Sequence, residues 1–283
     1  MPAPHTPGTA PAPDIRLVVT DLDGTLLDGE GRIPDALWPL LAELRRRGIV
    51  FCPASGRQYA TLARQFRRAA EDMVFIAENG TYVVQGGREL SSAPLARPFA
   101  DRVVRTVRTL PAGADAGIVV CGKRSAYVER TDPAFLAEVG RYYTRLETVA
   151  DATAVDDEII KLAVFDFGNI EDITAPVLKE FAATHQVVLS GAHWVDLMDP
   201  AANKGAAVRR LQRRLGITPE QTVVFGDYLN DLEMLDAATW SFATANAHPE
   251  VRLRARRTAP SNEDNGVVET VTRLLGLRPP GTD

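Results

Sequence analysis

The chain has 283 residues, 45% of them hydrophobic and 24% charged, with a formal net charge of −5. That length suits a large α/β unit or two domains with a sizeable core. Its twenty-eight arginines are interspersed with acids, so no basic stripe points to nucleic acid. Cys52 and Cys121 are too few for a disulfide framework and fit a reducing cytoplasm, and the four histidines lack the spacing of a zinc site.

Residues 1–13 are rich in proline and alanine and have neither the basic start nor the apolar segment of a signal peptide or membrane anchor. They read as a disordered tail, as does 278–283. From Ile15 onward short apolar runs alternate with amphipathic stretches, the pattern of a parallel sheet covered by helices. The first run, Val18-Val19-Thr20, leads into Asp21-Leu22-Asp23-Gly24-Thr25-Leu26. Residues 35–47 place Leu37, Leu40, Leu41 and Leu44 on one helical stripe before a capping Gly48, with Pro39 requiring that the helix begin near it. Ile49–Ala54 reads as a strand entering Ser55-Gly56-Arg57, 58–70 as a helix, and Met73–Ala77 and Thr81–Val84 as strands.

Beyond Gly86-Gly87 the texture changes. Helices are expected near 97–109 and 133–146 around a hairpin at 116–129, followed by a strand at Ile159–Phe167, a helix at 171–185 and a strand at Gln186–Leu189. The expected division is a core of 14–86 and 190–277 and an inserted domain of 87–189. On this reading Trp194–Met198 is a core strand, Lys204–Leu215 a helix, and Thr222–Phe225 a strand entering Gly226-Asp227-Tyr228-Leu229-Asn230-Asp231.

Three expected core strands thus end on polar, glycine-bearing turns, at Asp21, Ser55 and Asp227. Parallel strands present such turns at one sheet edge, where ligands gather. Asp21 and Asp23 suit phosphoryl chemistry: one carboxylate can attack phosphorus, its neighbour can pass a proton to the leaving oxygen, and both can help hold a divalent cation. The competing reading is an Asx turn entering a loop. Asp227, Asn230 and Asp231 fall on one face of a helical turn, either as a second pole for a cation or as a capped, solvated acidic turn. A carboxylate approaching a phosphate dianion is repelled by roughly 4 kcal/mol per charge pair at about 4 Å and an effective dielectric near 20. Positive charge is therefore required. Magnesium fits an oxygen-only set of Asp21, the Asp23 backbone carbonyl and Asp227. Lys204 is the candidate protein cation, or else a solvated lysine at a helix start. Ser55 and the Gly56 amide can bind phosphoryl oxygens, or Ser55 can merely cap a helix.

Two rival motifs fail. An EF-hand loop needs glycine and glutamate where Leu26 and Arg32 stand, and the P-loop-like Gly117–Arg124 has Arg124 at the magnesium-binding position and a strand-like middle.

Asp21–Leu26, Ser55 in Ala54-Ser55-Gly56-Arg57, Lys204 in Asn203-Lys204-Gly205, and Gly226–Asp231 resemble, in order, the four motifs of the haloacid dehalogenase superfamily of phosphatases. Glu78-Asn79-Gly80, Glu158-Ile159-Ile160-Lys161, Ala245-Asn246-Ala247 and Asn262–Val267 further resemble its Cof-type (HAD-IIB) subfamily. The resemblance implies a Rossmann-like parallel-sheet core with an inserted α/β cap of the C2B type. It also implies catalysis through an aspartyl-phosphate with Mg2+. By motif position Asp21 is the nucleophile and Asp23 the acid and later base. Ser55, Gly56, Lys204 and Asn230 bind phosphate, Asp21, Asp23 and Asp227 hold the metal, and Asp231 orients metal-bound water or Lys204 from behind.

The expected function is hydrolysis of small phosphorylated metabolites, sugar phosphates foremost, in a cytoplasmic monomer or homodimer with no nucleic-acid or membrane partner. The alternatives are a phosphomutase and a non-catalytic phosphometabolite binder. Lys161, His193 and Trp194 read first as packing or surface residues, the alternative being that they reach a substrate from the cap or hinge, and cap specificity residues carry no motif.

Overall fold

A computed structural model describes residues 13–168 and 170–277. Apart from Pro13, the tails expected at 1–13 and 278–283 lie outside the described residues. In chain order the strands are β1 (Leu17–Thr20), β2 (Val50–Pro53), β3 (Val74–Ala77), β4 (Tyr82–Gln85), β5 (Arg88–Ser92), β6 (Ala116–Gly122), β7 (Ala126–Val128), β8 (Leu146–Thr148), β9 (Ile159–Asp166), β10 (Gln186–Gly191), β11 (Trp194–Met198), β12 (Thr222–Gly226), β13 (Trp240–Thr244) and β14 (Arg257–Ala259). The chain divides into two compact units, one of Met1–Phe51 with Leu215–Asp283, the other of Cys52–Arg214.

The first unit carries the parallel sheet that the alternating pattern predicts. Its order is β14-β13-β12-β1-β2, with β1 parallel to β12, β12 to β13 and β13 to β14. β1 and β12 are buried at every position, as expected of central strands covered on both faces, and this is why each reads as a continuous apolar run. Leu37–Arg46 is a helix whose buried face is the expected Leu37, Leu40, Leu41 and Leu44. Pro39 sits in its first turn, where the missing N–H has no intrahelical partner to lose. The last helix, Gly266–Leu274, starts after Asn265 in the left-handed conformation. A Cβ on Gly266 would stand 2.0 Å from the Pro260 carbonyl oxygen. Gly266→Ala is therefore expected to cost about 2–3 kcal/mol, read as a thermal midpoint lowered by roughly 5–10 °C; an unchanged melt would show that the backbone there yields freely.

The second unit holds two sheets. The six-stranded one has the order β10-β11-β9-β6-β7-β8 and is antiparallel except for the β7–β8 pair; the three-stranded β3-β4-β5 sheet is antiparallel. Strand periodicity sorts the larger sheet's side chains onto two apolar faces. Ile118, Val120, Leu162, Val164, Val195 and Leu197 join one cluster, while Val119, Cys121, Ala163 and Phe165 join the other.

Several expectations are corrected. Trp194–Met198 is a strand, but it lies between β10 and β9 and not in the parallel sheet. Gly191 pairs with Trp194, so only Ala192 and His193 separate the two strands, and a connection that short returns the chain antiparallel beside the strand it has just left. The helix expected over 133–146 stops at Val139, and the chain re-enters a sheet at β8. The helix over 58–70 contracts to Tyr59–Gln65, and 171–185 is a succession of short helical turns from Ile170 to Ala183.

Candidate active site

The first unit gathers the acidic residues. Parallel pairing sets Thr20 opposite Phe225, and the Asp21 amide donates to the Phe225 carbonyl at 3.0 Å. Asp21 and Asp227 consequently leave the same edge of the sheet, at the carboxyl ends of adjacent strands. Ligand oxygens of Asp21, Asp227 and Asp231 lie within 4.8 Å of one another. Asp21 is 7% exposed and Asp231 fully buried.

The surrounding loop is built to hold Asp227. Thr25 Oγ1 donates to Asp227 Oδ1 at 2.9 Å, and the His248 amide donates to the Asp227 carbonyl at 2.8 Å. Gly24 has φ +77°, and a Cβ there would meet Asp227 Oδ2 at 2.3 Å, so the turn after Asp23 requires glycine for conformation and for space. Its carbonyl accepts from Asn246 Nδ2 at 2.8 Å, while Asn262 Nδ2 donates to the Leu27 carbonyl at 2.8 Å and the Asn262 amide to Asn246 Oδ1 at 3.3 Å. Asn246 and Asn262 thereby pin both ends of the Gly24–Leu27 stretch. Asp231 closes its own turn: Oδ2 accepts the amides of Asp227 at 3.0 Å and Tyr228 at 3.3 Å.

Three carboxylates this close repel one another by about 3 kcal/mol per pair at an effective dielectric near 20. A compact cation offsets that repulsion, and an all-oxygen donor set is the kind that hard divalent ions take. The residues present therefore fit a metal of that class. Asp231, expected behind the ligands, is a member of the carboxylate group, whereas the Asp23 side chain stands outside it and is exposed, as is Asn230.

The second unit carries the remaining candidates. Ser55 is 3% exposed and Lys204 1% exposed. The turn Glu78-Asn79-Gly80 braces the segments that bear them. The Asn79 amide donates to the Ser55 carbonyl at 3.0 Å, and a Cβ on Gly80 would lie 2.5 Å from the Asn203 carbonyl and 3.1 Å from the Lys204 nitrogen. Gly56 packs against the Asn79 carboxamide, which a Cβ would approach to 3.1 Å. The Arg57 amide donates to Ser55 Oγ at 3.2 Å. Among the described residues no helix is long and apolar enough to cross a membrane.

Residues 18–271 match the family model for haloacid dehalogenase-like hydrolases. The chain is 33% identical over 270 residues to 5-amino-6-(5-phospho-D-ribitylamino)uracil phosphatase YbjI of Escherichia coli (strain K12), covering 92% of this chain and 96% of that protein. It is 25% identical over 237 residues to an HMP-PP phosphatase of Cronobacter sakazakii, covering 83% and 86%. Among solved structures, a protein from Eubacterium rectale superposes with a TM-score of 0.83 at 28% identity, over 92% of this chain and 98% of that one. A parallel sheet with an additional six-stranded sheet, an acidic cluster at the carboxyl ends of its central strands, and a family match over nearly the whole chain identify this protein as a haloacid dehalogenase-like hydrolase.

Proposed function

We propose that the protein is a magnesium-dependent phosphatase of small phosphorylated metabolites, foremost phosphorylated sugars and polyols, working through an aspartyl-phosphate on Asp21. The carrying observation is the convergence of Asp21, Asp227 and Asp231 within 4.8 Å at the carboxyl ends of two adjacent parallel strands. An Asp21 carboxylate oxygen forms a bond to phosphorus as the bond to the leaving alcohol oxygen breaks, and Asp23 gives that oxygen a proton. Water then attacks phosphorus, Asp23 accepts its proton, and the Asp21–phosphorus bond breaks to return the carboxylate and inorganic phosphate.

Magnesium, when bound, would neutralise phosphoryl charge, and Asp21, the Asp23 backbone carbonyl and Asp227 are the residues to hold it. Asp231 fixes the turn that aims Asp227. By motif position Ser55, Gly56, Lys204 and Asn230 bind the phosphoryl oxygens. The polyol part of this class is supported by the relative named for a phosphoribityl compound, and the wider class of small phosphorylated metabolites by that relative together with the one named for HMP-PP.

The test is a phosphate-release screen of purified protein over a panel of sugar, polyol and cofactor phosphates, with and without magnesium. Release confined to small monoesters and to the magnesium arm is expected. Transfer of the phosphoryl group to a second sugar hydroxyl, with no inorganic phosphate formed, would assign the protein to mutase chemistry instead.

A further inference from the structure

A buried ionic cluster lies beside the Ser55–Arg57 turn in the second unit. Lys161 is 3% exposed, Glu78 1% and Asp196 4%. Lys161 Nζ stands 2.5 Å from Glu78 Oε2 and 3.7 Å from Asp196 Oδ2, and donates to the Gly56 carbonyl at 3.1 Å. One hydrogen bond, to the Gly56 carbonyl, and two ion pairs, with Glu78 and Asp196, hold this one ammonium. Asn79 Nδ2 reaches Asp196 Oδ2 at 3.4 Å, and Lys161 Nζ lies 5.6 Å from the centre of the Tyr143 ring. Burial works against the ammonium, but the Asp196 and Glu78 carboxylates outweigh it and hold its proton well above the ordinary lysine range.

Stability alone is a weak reason to keep such a cluster, because apolar residues of similar volume usually serve a core at least as well. On β9 the neighbours on the Lys161 face are Ala163 and Phe165, both part of an apolar cluster. The backbone is strained nearby as well. Glu78 has φ +49° and Asn79 φ +56°, consecutive residues with side chains in a region that favours glycine. Strain of this kind persists where the surroundings impose it and where function uses it.

The atom that Lys161 grips points to the use. The Gly56 carbonyl and the Arg57 N–H belong to one peptide, a rigid plane whose two ends point in opposite directions. One end accepts from Lys161 and the other donates to Ser55 Oγ at 3.2 Å. Once Oγ accepts that bond, the Ser55 O–H is left to donate elsewhere. We propose that Lys161 is a positioning residue which, clamped by Glu78 and Asp196, fixes the Gly56–Arg57 peptide and through it aims the Ser55 hydroxyl at the phosphoryl group of the substrate. This rests on the phosphatase reading above and adds to it a residue outside the four motifs.

A double-mutant cycle on the full-length protein tests it, with kcat/KM for an aryl phosphate and the inhibition constant of inorganic phosphate as readouts. Lys161→Met is made together with Glu78→Gln, so that the removed ammonium does not leave Glu78 charged, and circular dichroism melting checks the fold. Should that pair melt below the assay temperature, Lys161→Arg replaces it under the same criterion, since it keeps the charge but displaces the donor. Ser55→Ala is expected to lower kcat/KM and weaken phosphate inhibition by roughly 10- to 100-fold. The Lys161 change is expected to do so by a similar factor in the Ser55 background and by less than about twofold in the Ser55→Ala background. Full multiplication of the two losses would overturn the positioning role while leaving the phosphatase reading intact. A Ser55→Ala protein with wild-type constants would overturn this proposal and leave the phosphatase reading standing, whereas a wild type that releases no phosphate from any monoester would overturn the parent reading and this proposal with it.

Discussion

Asp21→Asn is expected to leave a folded protein whose release of phosphate from an aryl phosphate falls by roughly 10³-fold or more. The exchange is nearly isosteric, and the backbone hydrogen bonds of residue 21 persist: its amide still donates to the Phe225 carbonyl at 3.0 Å and its carbonyl still accepts from Thr20 Oγ1 at 2.7 Å. What disappears is the anionic oxygen that attacks phosphorus, for which a neutral amide is a poor substitute. In metal-free buffer stability should hold or rise, because one of three mutually repelling carboxylates within 4.8 Å is neutralised. Turnover and thermal midpoint measured on the same preparation separate the two effects. Retained turnover in a well-folded variant would remove Asp21 from the nucleophile role.

Stripping divalent cations with a chelator is expected to take phosphate release to background, with magnesium restoring it. The same treatment should lower the thermal midpoint, because an ion bound only by the folded protein at about 100 times its dissociation constant contributes about 2.7 kcal/mol. Thr25→Val sharpens the experiment. It removes the hydroxyl that donates to Asp227 Oδ1 at 2.9 Å without touching any carboxylate, and loss of such an outer partner typically costs 10- to 100-fold in metal affinity. The magnesium concentration giving half-maximal rate should rise by at least about tenfold. Full turnover in chelator would exclude the metal from the reaction, and an unchanged magnesium requirement in Thr25→Val would show that Asp227 needs no such brace.

Much of this was legible in the sequence because the central strands of a covered parallel sheet are written as continuous apolar runs. Val18–Thr20 and Thr222–Phe225 announce themselves in that way, and the polar residues that follow each run stand at the sheet edge. The reasons for the accompanying glycines were not legible. Gly24 and Gly226 are needed because side-chain atoms of Asp227 and Asp231 occupy the space beside them, at 2.3 Å and 2.5 Å from where a Cβ would stand; for Gly24 that neighbour is about two hundred residues away, where no local pattern reports it, and for Gly226 it is five residues on, brought back by the fold of the turn. Four strands, β5, β8, β13 and β14, went unread. β8 and β14 have only three residues each, too few for alternation to show, and β14 is largely exposed. The sheet to which Trp194–Met198 belongs was misread because a two-residue turn, and not the strand's own composition, decides it. Lys161 did leave a signal, a lone charge inside the otherwise apolar run Ile159–Phe165, but its partners Glu78 and Asp196 could be found only in three dimensions.

The pairing of β1 with β12 has a consequence for biogenesis. At ordinary translation speeds the ribosome delivers the second of these strands about 10–40 s after the first, so the earliest strand to emerge must wait, with one hydrogen-bonding edge open, for a neighbour not yet synthesised. Chaperone dependence during synthesis should accordingly exceed that of the finished chain on refolding, and a circular permutant that brings the two strands together in the sequence should reduce it.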